Sequence, residues 1–175
     1  MIPSAVLLPI FVKEMEYHLI FTRRTNKVKV HKGQISFPGG AYENEDAGLL
    51  DTALRESAEE IGLEPSDVEL LGEMDDISTI NSGFAISPFV GFIPWPYEFR
   101  LDPWEVDSLI KIPIPALLSP DCRHRESQDI WGEAIPSFSY HYQDDIIWGA
   151  SARILYQFLD IYSQALDYEG SKLSE

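Results

Sequence analysis

The sequence predicts an α/β fold in which a mixed sheet lies between helices. Short apolar segments with strand character precede and follow one well-bounded helical segment in the first half of the chain. A second stripe of apolar residues at helical spacing comes near the C-terminal end. Strands and helices in this order are expected to pack as layers around one hydrophobic core.

The predicted strands are apolar runs bounded by turn residues. They are Ala5–Val12, Tyr17–Thr22, Gln34–Phe37, Val68–Met74 and Phe84–Ile93, followed by a pair within Ile135–Trp148 around Gln143-Asp144-Asp145. The segment Asp102–Ile112 is ambiguous between strand and other structure, and Pro113 and Pro115 prevent its regular continuation. Residues Ala116–Leu118 fit one turn of helix.

The first predicted helix lies between Asp46 and Gly62. Asp46 is expected to cap its first amides, and Gly62 stands where a left-handed C-terminal residue is favoured, with Pro65 just beyond. An apolar stripe of Leu50, Leu54, Ala58 and Ile61 is expected to face the core.

The second predicted helix covers Ala150–Leu166. Its apolar stripe consists of Ile154, Leu155, Phe158, Leu159 and Tyr162. The polar residues after it, about the last eight of the chain, are expected to fray.

Three carboxylates lie on one face of the first helix. Glu56, Glu59 and Glu60 stand at i, i+3 and i+4, where like charges repel, and negative charge near a helix C-terminus opposes the helix dipole. Arg55 can relieve part of this through Glu59. A solvated acidic face is the usual meaning of such a run, but hard oxygen ligands on one side also suit Mg²⁺ or Mn²⁺. The loop Pro38-Gly39-Gly40 immediately upstream favours the metal site.

The glycine loop and this helix resemble a family motif. Gly40, Asp46 and the run from Arg55 to Leu63 resemble the Nudix box of hydrolases that act on nucleoside diphosphate derivatives. The general box has Glu at the Asp46 position and one residue fewer before the Arg. Both departures resemble the variant found in the coenzyme A pyrophosphatase branch.

A second motif resembles the same branch. Residues 21–40 match its additional signature, with Arg24, His31 and Gln34 at the signature Arg, His and Gln. Lys29 stands where the branch usually has Arg, so a bidentate phosphate contact becomes a single point charge. Looser similarities occur in residues 82–91 and 147–150.

The resemblance implies an α/β/α sandwich and a set of site residues. It places Glu56, Glu59 and Glu60 on Mg²⁺ or Mn²⁺, with the Gly40 carbonyl as a further ligand, and gives Arg55 the role of orienting the glutamates. The resemblance does not identify the base that accepts the proton of the attacking water. Glu59 is one candidate, and a glutamate from a later loop is another, with Glu105, Glu126 and Glu133 available.

The substrate implied by the resemblance is coenzyme A or one of its thioesters, bound by Arg24, Lys29, His31 and Gln34. Two alternatives stay open. One is hydrolysis of NADH, ADP-ribose or a nucleoside triphosphate, and the other is a nucleotide-binding module without turnover. Any of the four tryptophans, Trp95, Trp104, Trp131 and Trp148, could stack on an adenine, and the sequence does not choose among them.

Composition limits the other classes of function. A chain of 175 residues with 45% hydrophobic content is expected to form a single domain, residues 1–175. Its net charge of −16 argues against nucleic acid and acidic membranes as partners. Five of the thirteen basic residues nevertheless cluster within residues 23–32, next to the glycine loop, and suit a polyphosphate or ribose phosphate.

The remaining features favour a cytoplasmic protein. Cys122 is the sole cysteine, so no intramolecular disulfide forms. The N-terminus lacks a signal-peptide pattern, and no apolar run reaches the length of about 18 residues that a membrane helix needs. A small-molecule nucleotide is the expected partner, and a homodimer stays open.

Overall fold

The computed structural model describes residues 1–27, 33–130 and 133–173. Within them, eight strands form the main sheet. These are β1 (Ile2–Lys13), β2 (Glu16–Arg24), β3 (Ile35–Ser36), β4 (Gly39–Ala41), β5 (Glu69–Glu73), β6 (Ile77–Ser78), β7 (Phe84–Phe92) and β8 (Val106–Pro113). Strand β1 pairs antiparallel with β2 and β4 but parallel with β7, so the predicted mixed sheet is confirmed.

A second, antiparallel sheet follows the first. It contains β9 (Arg123–Ile130), β10 (Glu133–Tyr142) and β11 (Asp145–Ile147), with β10 in the middle. The pair of strands predicted around residues 143–145 is confirmed, whereas β9 was not predicted. Its sequence is mostly polar and charged and lacks apolar alternation, so backbone pairing with β10 makes it a strand.

Two long helices cover the faces of the main sheet. Helix α1 (Leu49–Ile61) comes before β5, a short helix α2 (Ile114–Leu118) follows β8, and α3 (Gly149–Leu173) ends the described chain. The predicted C-terminal helix is therefore confirmed and continues beyond Leu166. The ambiguous segment forms β8, and the single turn at Ala116–Leu118 belongs to α2. No helix in the described part of the chain is long and apolar enough to cross a membrane.

The two faces of the sheet carry separate apolar cores because side chains alternate along each strand. On the α1 side, Ala5, Leu7 and Ile20 pack with Ala53 and Ile61. The core on the α3 side includes Leu8, Ile10, Leu19, Phe21, Ile154, Leu155, Phe158 and Leu159. Helices thus lie on both sides of the sheet, as the sequence predicts, and the apolar stripe of α3 is buried.

The ends of α1 are only partly as predicted. Gly62 has a φ of 67° and lies in the left-handed region, with its amide bonded to the Ala58 carbonyl, so the predicted C-terminal signal is confirmed. The predicted cap at the other end is wrong. Gly48 is the N-cap and no side chain caps the helix, because the Asp46 carboxylate is occupied elsewhere.

The buried face of α1 also differs from the predicted stripe. The buried residues are Thr52, Ala53, Ser57, Glu60 and Ile61, so Ile61 alone of the predicted stripe is fully buried. The helix packs against β1 and the glycine strand β4. Close approach of a helix to a glycine strand favours small side chains at the contact, which Ala53 and Ser57 supply.

Candidate active site

Arg55 is the centre of an ion-pair network on α1. Its Nε and one terminal nitrogen donate to the two Asp46 oxygens at 2.7 and 3.0 Å. The other terminal nitrogen, Nη1, donates to Glu56 at 3.0 Å and to Glu59 at 3.4 Å. Nη2 also donates to the Ala41 carbonyl of β4 at 3.1 Å. The Arg55 guanidinium therefore connects the loop that contains Asp46, the helix α1 and the glycine strand β4.

Asp46 orients this guanidinium. Its side chain is 2% exposed, and it also accepts from the Thr52 hydroxyl at 2.7 Å and the Glu43 amide at 3.0 Å. The hydrogen bond from Arg55 is the largest cause that holds the pKa of Asp46 well below its usual range, and the same bond raises the pKa of Arg55. The pair stays fully charged at physiological pH.

The glutamates differ in burial. Glu60 is 5% exposed, and its Oε2 accepts from the Gly39 amide at 3.3 Å. Burial, followed by the charge of Glu56, raises the pKa of Glu60 to about 8. Burial also raises the pKa of Glu56, against the opposing effect of Arg55. The Glu59 side chain is 60% exposed. The three glutamates therefore do not form a solvated acidic face, the alternative to the metal site, because Glu60 is buried against β4.

The two glycines of β4 are needed where the strand meets these glutamates. A Cβ on Gly40 would collide with the Glu56 carboxylate. Gly39 has a φ of 157°, and a Cβ there would collide with the Ala5 carbonyl oxygen of β1. Glycine at position 40 therefore allows β4 to lie directly on the acidic helix face, and glycine at position 39 allows it to lie against β1.

The carboxylates suit a divalent cation by their chemistry. Within the described residues, no three His, Cys, Asp or Glu side chains converge closely enough to hold a metal ion, and Arg55 donates hydrogen bonds to Glu56 and Glu59. Negative charge is nevertheless in excess. Glu105 is close enough to raise the pKa of both Glu56 and Glu60. Clustered, partly buried carboxylate oxygens are the donors that Mg²⁺ and Mn²⁺ prefer.

Of the two later glutamates whose side chains the structure describes, Glu105 is the one whose charge reaches this cluster. The Glu105 carbonyl accepts from the Thr25 amide at 2.9 Å, which places it beside the end of β2. Glu126 belongs to the second sheet, where it accepts from the Ser139 hydroxyl at 2.5 Å. The Glu133 side chain lies outside the described part of the structure.

A cleft of about 710 Å³ borders β4. It brings together Arg24, Gln34, Gly39 and Gly40, and its volume is typical of a small-molecule site. The Nε atom of Arg24 is buried and has no hydrogen-bond partner within the described structure. A buried, unpaired guanidinium nitrogen costs free energy unless a ligand accepts from it. Lys29 and His31, the other two predicted substrate residues, lie outside the described residues.

The three described residues of the predicted basic cluster have different surroundings. Arg23 pairs with Asp145 of β11 and so joins the two sheets. Lys27 lies 5.2 Å from the centroid of the exposed Trp104 ring. Of the cluster, Arg24 is the described residue that lines the cleft. Successive strand residues point to opposite faces, which explains why Arg23 and Arg24 separate.

Several cleft residues had no assigned role in the sequence analysis. Trp148 and the first turn of α3 form one wall, and residues 79–82 form another. Trp95 stacks on Phe11 at 4.2 Å in the core, so it cannot stack on a ligand in the cleft. The looser family similarities at residues 82–91 and 147–150 were the signal that could have indicated these walls.

Comparison with known proteins agrees with the fold and the motif. The model of the NUDIX domain family matches residues 1–110. An uncharacterized Nudix hydrolase NudL of Photorhabdus laumondii is 33% identical over 154 residues, which are 88% of this chain and 81% of the relative. An uncharacterized Nudix hydrolase NudL of Yersinia pestis is 37% identical over 154 residues, 87% of this chain and 75% of the relative.

Solved structures support the same architecture. A MutT/nudix family protein from Enterococcus faecalis has a TM-score of 0.64 at 13% identity and covers 95% of this chain and 62% of its own. The Nudix domain of Shewanella oneidensis NrtR, complexed with ADP ribose, has a TM-score of 0.51 at 18% identity and covers 67% of this chain and 76% of its own. At these identities the likeness shows the fold alone.

The chain belongs to the Nudix family and is a hydrolase that acts on pyrophosphate bonds of nucleoside diphosphate derivatives. Nudix hydrolases generally use divalent metal ions. The glycine strand, Arg55 and the three glutamates of α1 are the part of the fold that carries the family motif.

Proposed function

We propose that this protein is a pyrophosphohydrolase of coenzyme A or its thioesters, which it cleaves to adenosine 3′,5′-bisphosphate and 4′-phosphopantetheine or its acyl derivative. The observation that supports this most is the shared cleft. Arg24 and Gln34, which match the coenzyme A branch signature, line the same cleft as Gly40 of the Nudix box.

The metal-binding residues in this proposal are Glu56, Glu59 and Glu60, with the carbonyl of Gly40. When bound, Mg²⁺ or Mn²⁺ would neutralise diphosphate oxygens and lower the pKa of an attacking water. Arg55 orients Glu56 and Glu59 by hydrogen bonds and is itself held by Asp46. Arg55 is therefore a positioning residue in this account.

The proton of the attacking water has two candidate acceptors. Glu59 has an exposed carboxylate bonded to Arg55 at 3.4 Å. Glu105 lies beside the end of β2, close enough to affect the pKa of Glu60. We propose Glu59 as the acceptor, because its exposed carboxylate stands on the same helix as Glu56 and Glu60.

The cleft offers separate surfaces for the charged and uncharged parts of the substrate. Arg24 can pair with a phosphate through its unpartnered Nε. Phe37, Ile86 and Ile154 give the cleft an apolar surface. We assign the 3′-phosphate to Arg24, since this group distinguishes coenzyme A from its dephosphorylated form.

Hydrolysis of another nucleoside diphosphate derivative is the second candidate. ADP-ribose is one member of this group, and a Nudix domain of similar fold has been solved in complex with it. NADH and nucleoside triphosphates are the other members. A binding module without turnover is disfavoured, because the Arg55–Glu56 and Glu59–Glu60 pairs of the catalytic motif are all present.

Product analysis with a substrate panel tests the proposal. Coenzyme A, acetyl-coenzyme A, dephospho-coenzyme A, NADH, ADP-ribose and deoxynucleoside triphosphates are each incubated with Mg²⁺ or Mn²⁺, and products are identified by chromatography and mass spectrometry. We expect adenosine 3′,5′-bisphosphate from the coenzyme A compounds at the highest rate. A higher rate on ADP-ribose or NADH would contradict coenzyme A as the substrate, but the protein would still hydrolyse a pyrophosphate bond.

Three further points belong to the proposal. Residues 1–175 act as one catalytic domain, the protein works in the cytoplasm, and its partner is a small nucleotide and not nucleic acid or a membrane. A homodimer is compatible with the proposal, and light scattering during gel filtration would determine the oligomeric state.

A further inference from the structure

A second cavity lies between the three-stranded sheet and α3, away from the glycine strand. Its volume is about 520 Å³. One part of its wall is apolar and contains Leu117, Leu118 and Leu159, while Arg123 and Arg125 of β9 supply positive charge. The family motif contributes no residue to this cavity, so the proposed hydrolysis does not account for it.

Arg123 is held in place by aromatic side chains. Its guanidinium carbon lies 5.3 Å from the centroid of the Phe138 ring and 5.4 Å from that of Tyr156. These two rings are stacked, with centroids 5.1 Å apart and planes at 2°. The guanidinium also interacts with the hydroxyl of the buried Tyr140. Aromatic faces attract a cation but do not neutralise its charge.

Arg125 lies two residues further along β9 and so points to the same face of the sheet. No described carboxylate is within salt-bridge distance of either guanidinium, although the chain has 29 acidic residues and only 13 basic ones. Asp160 of α3 shares the cavity, but its Oδ2 accepts from Gln164 at 3.0 Å. Two positive charges thus face one cavity without a described anionic partner.

We propose that this cavity binds an organic phosphate monoester, with the phosphate between Arg123 and Arg125 and the organic group against the leucines. Two guanidinium groups suit a dianion that can accept several hydrogen bonds. Inorganic phosphate would leave most of the volume unfilled, whereas an attached apolar or aromatic group would bury against Leu117 and Leu159. This inference does not depend on the proposed substrate of the catalytic cleft.

Phenyl phosphate is a suitable probe, and backbone amide chemical shifts of the ¹⁵N-labelled protein report where it binds. We expect saturable shifts at Leu118, Ser119, Arg125 and Ser163, which surround the second cavity. Shifts at Gly39–Ala41 report separately on the catalytic cleft. Shifts confined to the glycine strand, or no saturable shift at all, would overturn the proposal.

Variants make the test specific. Arg125→Gln should weaken phenyl phosphate binding roughly tenfold or more, since it removes a charged hydrogen-bond donor. The exposed Arg100, outside the cavity, provides the matched control in Arg100→Gln, which should bind like the wild type. An equal loss in both variants would contradict a site at Arg125. Arg125 is exposed, so the variant should fold, and an amide spectrum that is unperturbed elsewhere would confirm this.

Two further arms identify the chemistry. Asp160→Asn should tighten phenyl phosphate binding, because the carboxylate repels an anion; weaker binding would show that the ligand is not held as an anion. Comparing the affinities of benzoate and phenyl phosphate tests whether the cavity prefers phosphate to carboxylate on the same ring. Benzoate binding as tight as that of phenyl phosphate would overturn the phosphate assignment.

Discussion

The acidic helix α1 and the cleft next to α3 both border the glycine strand, but they satisfy their charges differently. Each guanidinium nitrogen of Arg55 has a hydrogen-bond acceptor, and its partners are Asp46, Glu56, Glu59 and the Ala41 carbonyl. In the cleft, the Arg24 Nε has none within the described structure. The first region is organised before any ligand binds, whereas the second leaves a donor for the ligand.

This difference suggests that the two regions have different roles in catalysis. The network of Arg55 positions groups for chemistry, so its disruption should lower kcat. The cleft supplies contacts to the substrate, so changes there should mainly raise KM. The following predictions test this difference in roles, in order of decreasing effect.

Glu59→Gln should have the largest effect. It keeps the shape of the side chain but removes the carboxylate that we assign to the metal and to the proton, so kcat should fall by about 10³-fold or more. Steady-state hydrolysis with Mg²⁺ measures this, with the exposed Glu45→Gln as the matched control. An activity of Glu59→Gln near that of the wild type would remove this residue from the mechanism.

Asp46→Asn should have the next largest effect. The amide cannot accept two charged hydrogen bonds from Arg55, so the guanidinium loses its orientation and the glutamates lose theirs. We expect kcat to fall about 10- to 100-fold, as for other changes behind a metal ligand. KM should change little. The opposite pattern, a raised KM at normal kcat, would contradict a positioning role for Asp46.

Trp148→Ala, a substitution in the cleft, should have a smaller effect, and this effect should be on KM. The ring lines the cleft and is 45% exposed, so its loss should raise KM by about 2- to 10-fold with kcat nearly unchanged. Trp104→Ala is the control, because this exposed ring lies outside the cleft. Equal effects of the two substitutions would exclude a specific contact at Trp148.

A pH effect on stability is expected in the metal-free protein. The pKa of Glu60 is raised from 4.5 to about 8 in the folded chain, so the folded state holds its proton more tightly than the unfolded state. The free energy of unfolding should therefore decrease as the pH rises from about 5 to 8. Asp46 should not contribute to this decrease, because its lowered pKa means that it is already ionised throughout the range from about pH 5 to 8.

Thermal unfolding in the presence of a chelator measures this decrease. Glu60→Gln cannot ionise, so its unfolding temperature should depend less on pH over the same range. Mg²⁺ should also reduce the wild-type decrease, because a cation stabilises the ionised carboxylate. Identical pH profiles for the variant and the wild type would show that Glu60 is not the group responsible.

The sequence predicts the first region well because its residues are close in the chain. Gly62 ends α1 as expected, and the glutamates lie where helical spacing places them. The predicted Asp46 cap is wrong because an arginine nine positions later competes for the same carboxylate. The depth of Glu60 was not predictable either, since it depends on how closely α1 approaches the glycines of β4.

The cleft is less predictable because its walls come from distant segments. Arg24 and Gln34 were assigned by family resemblance, whereas Trp148 was one of four equivalent tryptophans. Strand β9 was missed, since its polar sequence carries no apolar alternation. Its pairing with β10 is a long-range contact that local periodicity does not report.

The most direct test of the central claim compares coenzyme A with dephospho-coenzyme A on the wild type and on Arg24→Gln. The measured quantity is the ratio of the two kcat/KM values. We predict a ratio well above one for the wild type, falling toward one in the variant, because Arg24 recognises the 3′-phosphate. The control Arg100→Gln should keep the wild-type ratio. A ratio that Arg24→Gln leaves unchanged would contradict the account.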